Sequence, residues 1–320
     1  MMKHLVIGGA GYIGGVCVEK LIERGDAVVV LDHLGTGHRE NVHPNAIFIQ
    51  GEKGDSKLLD KIFSEHKIDT VLDFAGLIQV GESVKKPSKY FQNNFCQGVS
   101  LLDSMRRNGV DKIIFSSTAA VFGNPKTVPI TEEADKSPIN PYGESKYFFE
   151  LAIKRYAEAY DLKYTIFRYF NACGATIMSK EQHINESHLI PLIFQAVKGE
   201  RANIAVFGTD YETTDGTCIR DYVHIEDLIS AHLAAIKYME KSFRNEFNLG
   251  NGSGYSVKEV INAVEKITGK KVPVVFADRR EGDPARLIAS SEKAKKELGW
   301  SPKYPKIEQI IESAWSAELR

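Results

Sequence analysis

The sequence predicts an α/β fold: a doubly wound parallel sheet followed by a second, smaller α/β substrate unit. Three observations predict it. Short apolar runs alternate with helix-period stretches through the first half of the chain. A glycine-rich turn follows the first apolar run, and an acidic residue closes the second. Beyond about residue 171 the alternation loosens into shorter and more polar pieces.

The apolar run 3–8 leads into Gly8-Gly9-Ala10-Gly11-Tyr12-Ile13-Gly14. An amphipathic stretch from Val16 to Arg24 follows, then Gly25-Asp26, then Ala27-Val28-Val29-Val30-Leu31 ending at Asp32. This is strand, turn, helix and strand within about thirty residues. Gly8, Gly11 and Gly14 form a G-x-x-G-x-x-G variant of the dinucleotide fingerprint, which places a Rossmann-type unit at the start of the chain. Glycine lets the backbone approach a pyrophosphate closely and aims a helix N-terminus at it. An ordinary tight turn can also use glycines, but it needs neither the flanking strands nor the acid. Asp32 would accept from both ribose hydroxyls and repel a 2′-phosphate, so NAD is predicted rather than NADP.

The remaining elements follow in order. Ala46–Ile49 precedes a helix over 56–66, and Thr70–Ala75 precedes a long helix over 84–107. Lys112–Ser117 leads to a polar loop, a helix over 143–160 and the run Tyr164–Arg168. In such a sheet ligands sit beyond the carboxyl ends of the strands, so the stretches after each run should meet in one crevice. Later come a polar stretch over 176–188, a helix over 189–198, the run 204–208, and a loop over 209–220. A helix over 225–240, a strand over 246–249 and helices near 256–268, 290–298 and 306–316 close the chain. The expected division is 1–170 for dinucleotide and 171–320 mainly for substrate, with segments near 220–250 crossing back.

Composition excludes several functions. A formal net charge of −1 with mixed signs offers no surface for nucleic acid or an anionic membrane. No apolar run approaches spanning length, and the apolar start runs at once into the glycines, so it is not read as a secretory leader. The four cysteines are far apart without a CxxC pair, and the histidines, including His183 and His224, show no metal-ligand spacing. The expectation is a soluble cytoplasmic protein with no metal.

The chemistry is expected at Pro141-Tyr142-Gly143-Glu144-Ser145-Lys146. Tyr142 and Lys146 project from one helix face. A phenol near pKa 10 is a poor base at neutral pH, and a neighbouring ammonium favours its phenolate. The spacing alone also occurs on solvated helices, so its weight comes from its context.

Together these motifs resemble the extended short-chain dehydrogenase/reductase family, and the resemblance runs the length of the chain. Phe74-Ala75-Gly76-Leu77 with Val80-Gly81-Glu82-Ser83, and Asp215-Gly216-Thr217-Cys218-Ile219-Arg220-Asp221-Tyr222-Val223-His224, are closest to its nucleotide-sugar epimerase branch. Phe115–Gly123, Arg168-Tyr169-Phe170-Asn171 and Arg279–Pro284 also match. The resemblance implies interconversion of UDP-glucose and UDP-galactose through a transient 4-keto sugar, with NAD as cofactor, a UDP-hexose as substrate, and a homodimer through the helices near 84–107 and 143–160.

It also implies roles. Tyr142 would be the base, Lys146 would lower its pKa and bind the nicotinamide ribose, and Thr118 would relay the proton of the 4-hydroxyl. Tyr12, Ile13, Glu52, Phe74, Ala75, Gly76, Asn93 and Tyr169 would join the glycines and Asp32 around the cofactor. Asn171, His188, Leu189, Phe207, Arg220, Arg280, Asp283 and Leu287 would surround the substrate, the arginines on its diphosphate and Phe207 on uracil. Related dehydratases carry an Asp-Glu pair after the threonine, and here Ala119-Ala120 can do no acid–base work.

Three departures fall on the cofactor side. Ile78 replaces a lysine directed at phosphates, Gly51-Glu52-Lys53 replaces Gly-Asp-Ile, and Asp73 replaces a histidine. Glu52 could accept from adenine with a longer arm and Lys53 could supply replacement charge. These changes predict a loosely held NAD. Leu287, smaller than a tyrosine, predicts tolerance of N-acetylated sugars. Other readings stay open: an epimerase of UDP-GlcNAc, UDP-glucuronate or UDP-xylose, or a non-catalytic NAD-binding regulator.

Overall fold

Strands that lie inside a parallel sheet are covered on both faces, and the apolar runs of the first half behave so. A computed structural model of the chain describes residues 1–177, 179–181, 186–280 and 283–320. The first strands are β1 (Lys3–Ile7), β2 (Ala27–Asp32), β3 (Ile47–Gln50), β4 (Thr70–Asp73), β5 (Lys112–Thr118) and β6 (Lys163–Tyr169). Next come β7 (Asn171–Cys173), β8 (Ile204–Phe207), β9 (Ile219–His224) and β10 (Arg244–Leu249). The last are β11 (Gly254–Ser256), β12 (Val274–Ala277) and β13 (Arg286–Leu287).

A seven-stranded sheet runs in the order β10-β6-β5-β4-β1-β2-β3, every pair parallel. The doubly wound sheet read from the sequence is therefore present. Helices Tyr12–Glu23 and Ile225–Tyr238 pack one apolar core on one face. Helices Ser56–His66, Gln97–Arg107 and Pro141–Tyr160 pack a second core on the other. A third core gathers β8, helices Leu189–Lys198 and Val257–Thr268, and the helix Ile307–Glu318. Beside it, β9 pairs with β7, β11 and β13, and β8 pairs with β12. Among the described residues, no helix is long and apolar enough to cross a membrane.

Two expectations about elements need correction. The long helix over 84–107 is broken into Val80–Lys85, Pro87–Tyr90, a π-helical stretch Phe91–Cys96, and Gln97–Arg107. Pro87 has no N–H to continue the first piece, and so starts the next one. The loop expected over 209–220 runs instead into β9, whose Ile-Arg-Asp-Tyr-Val-His sequence hides a buried strand. Its Asp221 is accommodated by backbone N–H groups of Ala289, Asn251 and Gly252 at 3.0, 2.8 and 3.0 Å.

Candidate active site

The turn after β1 is shaped by close packing. Gly8 adopts φ +79°, its carbonyl accepts from Gly11 N at 3.1 Å, and a Cβ on Gly14 would lie 2.1 Å from that same carbonyl. The helix beginning at Tyr12 has neither a side-chain cap at Gly11 nor an acid in its first turn, so its leading N–H groups remain for an anion. Asp32 accepts from Ala10 N at 3.0 Å and Leu34 N at 2.8 Å, one bond on each oxygen, leaving lone pairs for sugar hydroxyls. A cradle that only glycine fits, an uncapped helix end and this acid suit a dinucleotide. Ile13 packs half-buried on the core. The Tyr12 phenol points elsewhere, donating to Gly174 O at 2.5 Å and tying the helix to the chain beyond β7.

The loop after β4 closes over that turn, since a Cβ on Gly8 would lie 2.9 Å from Ala75 N. Phe74 rests on the His232 ring at 5.2 Å between centroids. Leu77, beyond Gly76, exchanges two backbone hydrogen bonds with the Asn94 side chain, at 2.8 and 3.0 Å. Asn94 also donates to Ser145 Oγ at 3.0 Å, joining this loop to the Tyr142 helix. Asn93, expected at the cofactor, is the half-buried neighbour of this inward-turned Asn94 on the π-helical stretch. Tyr169, at the end of β6, meets Ser116 Oγ at 2.8 Å and His232 Nε2 at 2.6 Å.

Helix Pro141–Tyr160 starts where it does because the Asn140 side chain caps Gly143 N at 2.9 Å and Pro141 occupies the first turn. Gly143 permits its approach to the turn after β5: a Cβ there would lie 2.7 Å from Ala120 O. Tyr142 thereby faces Thr118. The Thr118 oxygen accepts from Ala120 N at 3.1 Å, leaving its proton for Tyr142. Burial raises the Tyr142 pKa, and the bond from Thr118 opposes this. Tyr90 packs edge-on against Tyr142 with centroids 6.5 Å apart and donates to Glu82 at 3.1 Å.

Lys146 is buried, donates to Ser116 O at 2.9 Å, and sits 4.9 Å from the Phe115 ring centroid. Burial first, and the Lys53 charge second, lower its pKa to about 7. In the protein alone the group that favours the Tyr142 phenolate is Thr118, while burial and Lys53 bring the Lys146 pKa down to about 7.

The cofactor-side departures also differ from expectation. Lys53 is not available to cofactor phosphates. It is 3% exposed and pairs with Asp73, itself 0% exposed, at 3.0 Å. A buried ammonium needs a counter-charge, and Asp73 supplies it. Glu52 is exposed and accepts from Gln97 at 3.4 Å.

On the substrate side, β7 begins at Asn171, in register with Tyr222 of β9. Arg220 on β9 is in register with Leu287 and forms an ion pair with Asp283. Arg280 lies over the Phe207 ring at 3.9 Å from its centroid. Leu287 packs on the small cluster containing Ala119, Phe122 and Phe170, which brings it beside the Thr118 turn. His188 precedes helix Leu189–Lys198 and contacts Glu181 and Glu186 at 2.8 and 3.0 Å. Burial alone would lower its pKa, but the hydrogen bonds it donates to those carboxylates raise it to about 10. One ligand atom from each of these three residues falls within 4.8 Å, a grouping the sequence spacing did not suggest. An imidazolium between two carboxylates accounts for it by charge. His224 caps helix Ile225–Tyr238, its Nδ1 accepting from Glu226 N at 3.1 Å. His183, Glu281 and Gly282 lie outside the described residues.

A glycine cradle beside a Thr–Tyr–Lys set, its lysine buried, defines a dinucleotide-dependent enzyme of the short-chain dehydrogenase/reductase type. The chain belongs to the NAD dependent epimerase/dehydratase family, whose model matches residues 4–250. It is 49% identical to a UDP-glucose 4-epimerase of Halalkalibacterium halodurans, over 98% of this chain and 95% of that protein. Its fold is similar to the UDP-glucose 4-epimerase from Brucella ovis in complex with NAD, with TM-score 0.96, 40% identity, and coverage of 99% and 98% of the two chains. The UDP-glucose 4-epimerase from Bifidobacterium longum in complex with NAD+ and UDP gives TM-score 0.94 at 37% identity, covering 99% and 98%.

Proposed function

We propose that this protein is an NAD-dependent epimerase that interconverts UDP-glucose and UDP-galactose by inverting C4 of the hexose. The observation that carries the reading is the set of half-buried Thr118 and Tyr142 with buried Lys146 at the mouth of the glycine cradle, with Ala119-Ala120 in place of any acid pair. Bound in the cradle, NAD supplies a reversible hydride acceptor for C4. Tyr142 takes the 4-hydroxyl proton, directly or through Thr118, and returns it after the ring has presented its other face. Lys146 holds the nicotinamide ribose and, while protonated, favours the Tyr142 phenolate.

Arg220 and Arg280 bind the diphosphate, Arg220 exchanging its Asp283 partner for phosphate oxygens. Phe207, already covered by Arg280, stacks on uracil. Residues 1–170 carry the cofactor and 171–320 mainly the substrate, with β10 returning to the first sheet. Exposed Val84, Phe148 and Leu151 on the helices near 84–107 and 143–160 support pairing of two copies in a cytoplasmic homodimer.

The test is incubation with each UDP-hexose and NAD, followed by NMR, with Tyr142→Phe as control. Interconversion is expected, with the variant slower by roughly 10²–10⁴-fold, the span of general acid–base catalysis. No interconversion of any UDP-sugar by the folded protein would defeat the reading.

A further inference from the structure

We propose that Lys53 and Asp73 are positioning residues of opposite sign that tune the protonation state of the buried Lys146 amine. The inference rests on the role assigned above to Lys146. Asp73 is the last residue of β4 and is in register with Phe115 of β5. Lys53, from the loop after β3, donates to Asp73 Oδ2 at 3.0 Å, to Oδ1 at 3.4 Å, and to Ala75 O at 2.8 Å. Its Nζ lies 5.7 Å from the centroid of the Phe149 ring, which stacks edge-on against Phe115 at 4.7 Å. Lys146 reaches the same place from the helix, 4.9 Å from the centroid of the Phe115 ring and 3.0 Å from where a Gly76 Cβ would stand. Two ammonium groups and one carboxylate therefore share a water-poor space floored by two aromatic rings.

In such a space each charge acts strongly on the others. The charged groups acting on Lys146 are Lys53, Asp73 and Glu150, and Glu150 is already held by Arg168. Lys53 disfavours the Lys146 ammonium and Asp73 favours it. With the Lys146 pKa lowered to about 7, a modest change in that balance moves its charge across the physiological range.

The test labels lysine Cε with carbon-13 in the full chain without added cofactor and follows the Lys146 resonance by NMR from pH 5 to 10. Lys146→Met assigns the resonance. Lys53→Met is expected to raise the Lys146 midpoint by about one pH unit, and Asp73→Asn to lower it by about as much, the scale of a close charge. The double variant should return to within about half a unit of the parent. If Asp73→Asn does not fold, the comparison of Lys53→Met with the double variant still decides. Midpoints that stay put, or move in the same direction in both single variants, overturn the inference. Epimerisation is assayed on the same samples: its absence alongside opposed shifts would count against the enzymatic reading alone. Unmoved midpoints in an active enzyme would count against this inference alone.

Discussion

Glu150 lies one helical turn beyond Lys146 and fixes the Tyr142 helix against two strand ends. Its Oε1 accepts from Ser117 Oγ at 2.5 Å and from Arg168 Nε at 3.0 Å, and its Oε2 accepts from Arg168 Nη2 at 2.7 Å. Glu150 and Arg168 are both fully buried. Ser117 directly precedes Thr118, and Arg168 directly precedes Tyr169, so the network sets the registration of the residues assigned to the chemistry. Glu150→Leu removes the bidentate acceptor and leaves a buried guanidinium with Glu246, which it already shares with Lys154 at 2.6 Å.

Breaking a buried pair from one side costs roughly 3–5 kcal/mol. For a chain of this size that corresponds to a fall in Tm of about 4–8 °C. The loosened helix should also lower kcat on the order of 10–100-fold, because small misplacements of reacting groups are expensive. Scanning calorimetry and the epimerisation assay check both effects. Glu150→Leu/Arg168→Met is the control: it leaves no buried charge behind, and should recover most of the Tm but not the kcat. A single variant within about 2 °C of the parent, with unchanged kcat, would refute the reasoning.

Acid should destabilise the protein through its buried histidines. Burial lowers the pKa of His4, His224 and His232 to about 4 each, so between pH 6.5 and 4 the unfolded chain takes up protons that the folded one does not. Their contribution is complete above about pH 6.5 and is lost as pH falls through that window. Asp221, raised by burial to about 6, and His188, raised to about 10, act in the opposite direction, as do Glu132 and Asp227, which burial also raises, but the three histidines carry the larger change between pH 7 and pH 5. The urea midpoint should therefore be lower at pH 5 than at pH 7, and equal midpoints would contradict the assignment. With Lys53 committed to Asp73 and Glu52 exposed, NAD should be released on extensive dialysis; protein that keeps near-stoichiometric NAD would argue otherwise. Leu287 beside the Thr118 turn should admit N-acetylated sugars. Activity on UDP-GlcNAc below about one-thousandth of that on UDP-glucose, more than 4 kcal/mol of discrimination, would rule that out.

The sequence by itself determined the parallel sheet, because strands covered on both faces must be nearly continuous apolar runs and the helices between them must carry a stripe. It determined the cofactor turn for a similar reason: a Cβ at Gly14 has nowhere to go, so the constraint is written as a residue type. The placing of Tyr142 and Lys146 on one helix face and of Thr118 at a strand end was legible from motif spacing. The sequence did not determine which polar side chains turn inward. Asn94 makes the loop clamp, β9 is a strand despite its Arg-Asp pair, and Lys53 faces Asp73 instead of a phosphate. Each of those outcomes depends on a partner from a distant part of the chain, such as Leu77 for Asn94 or Asp73 for Lys53. The Lys146 pKa belongs to the same class. Tyr-x-x-x-Lys places an ammonium near a phenol, but its charge is set by burial and by Lys53 and Asp73 across the sheet, which only the tertiary structure brings within reach.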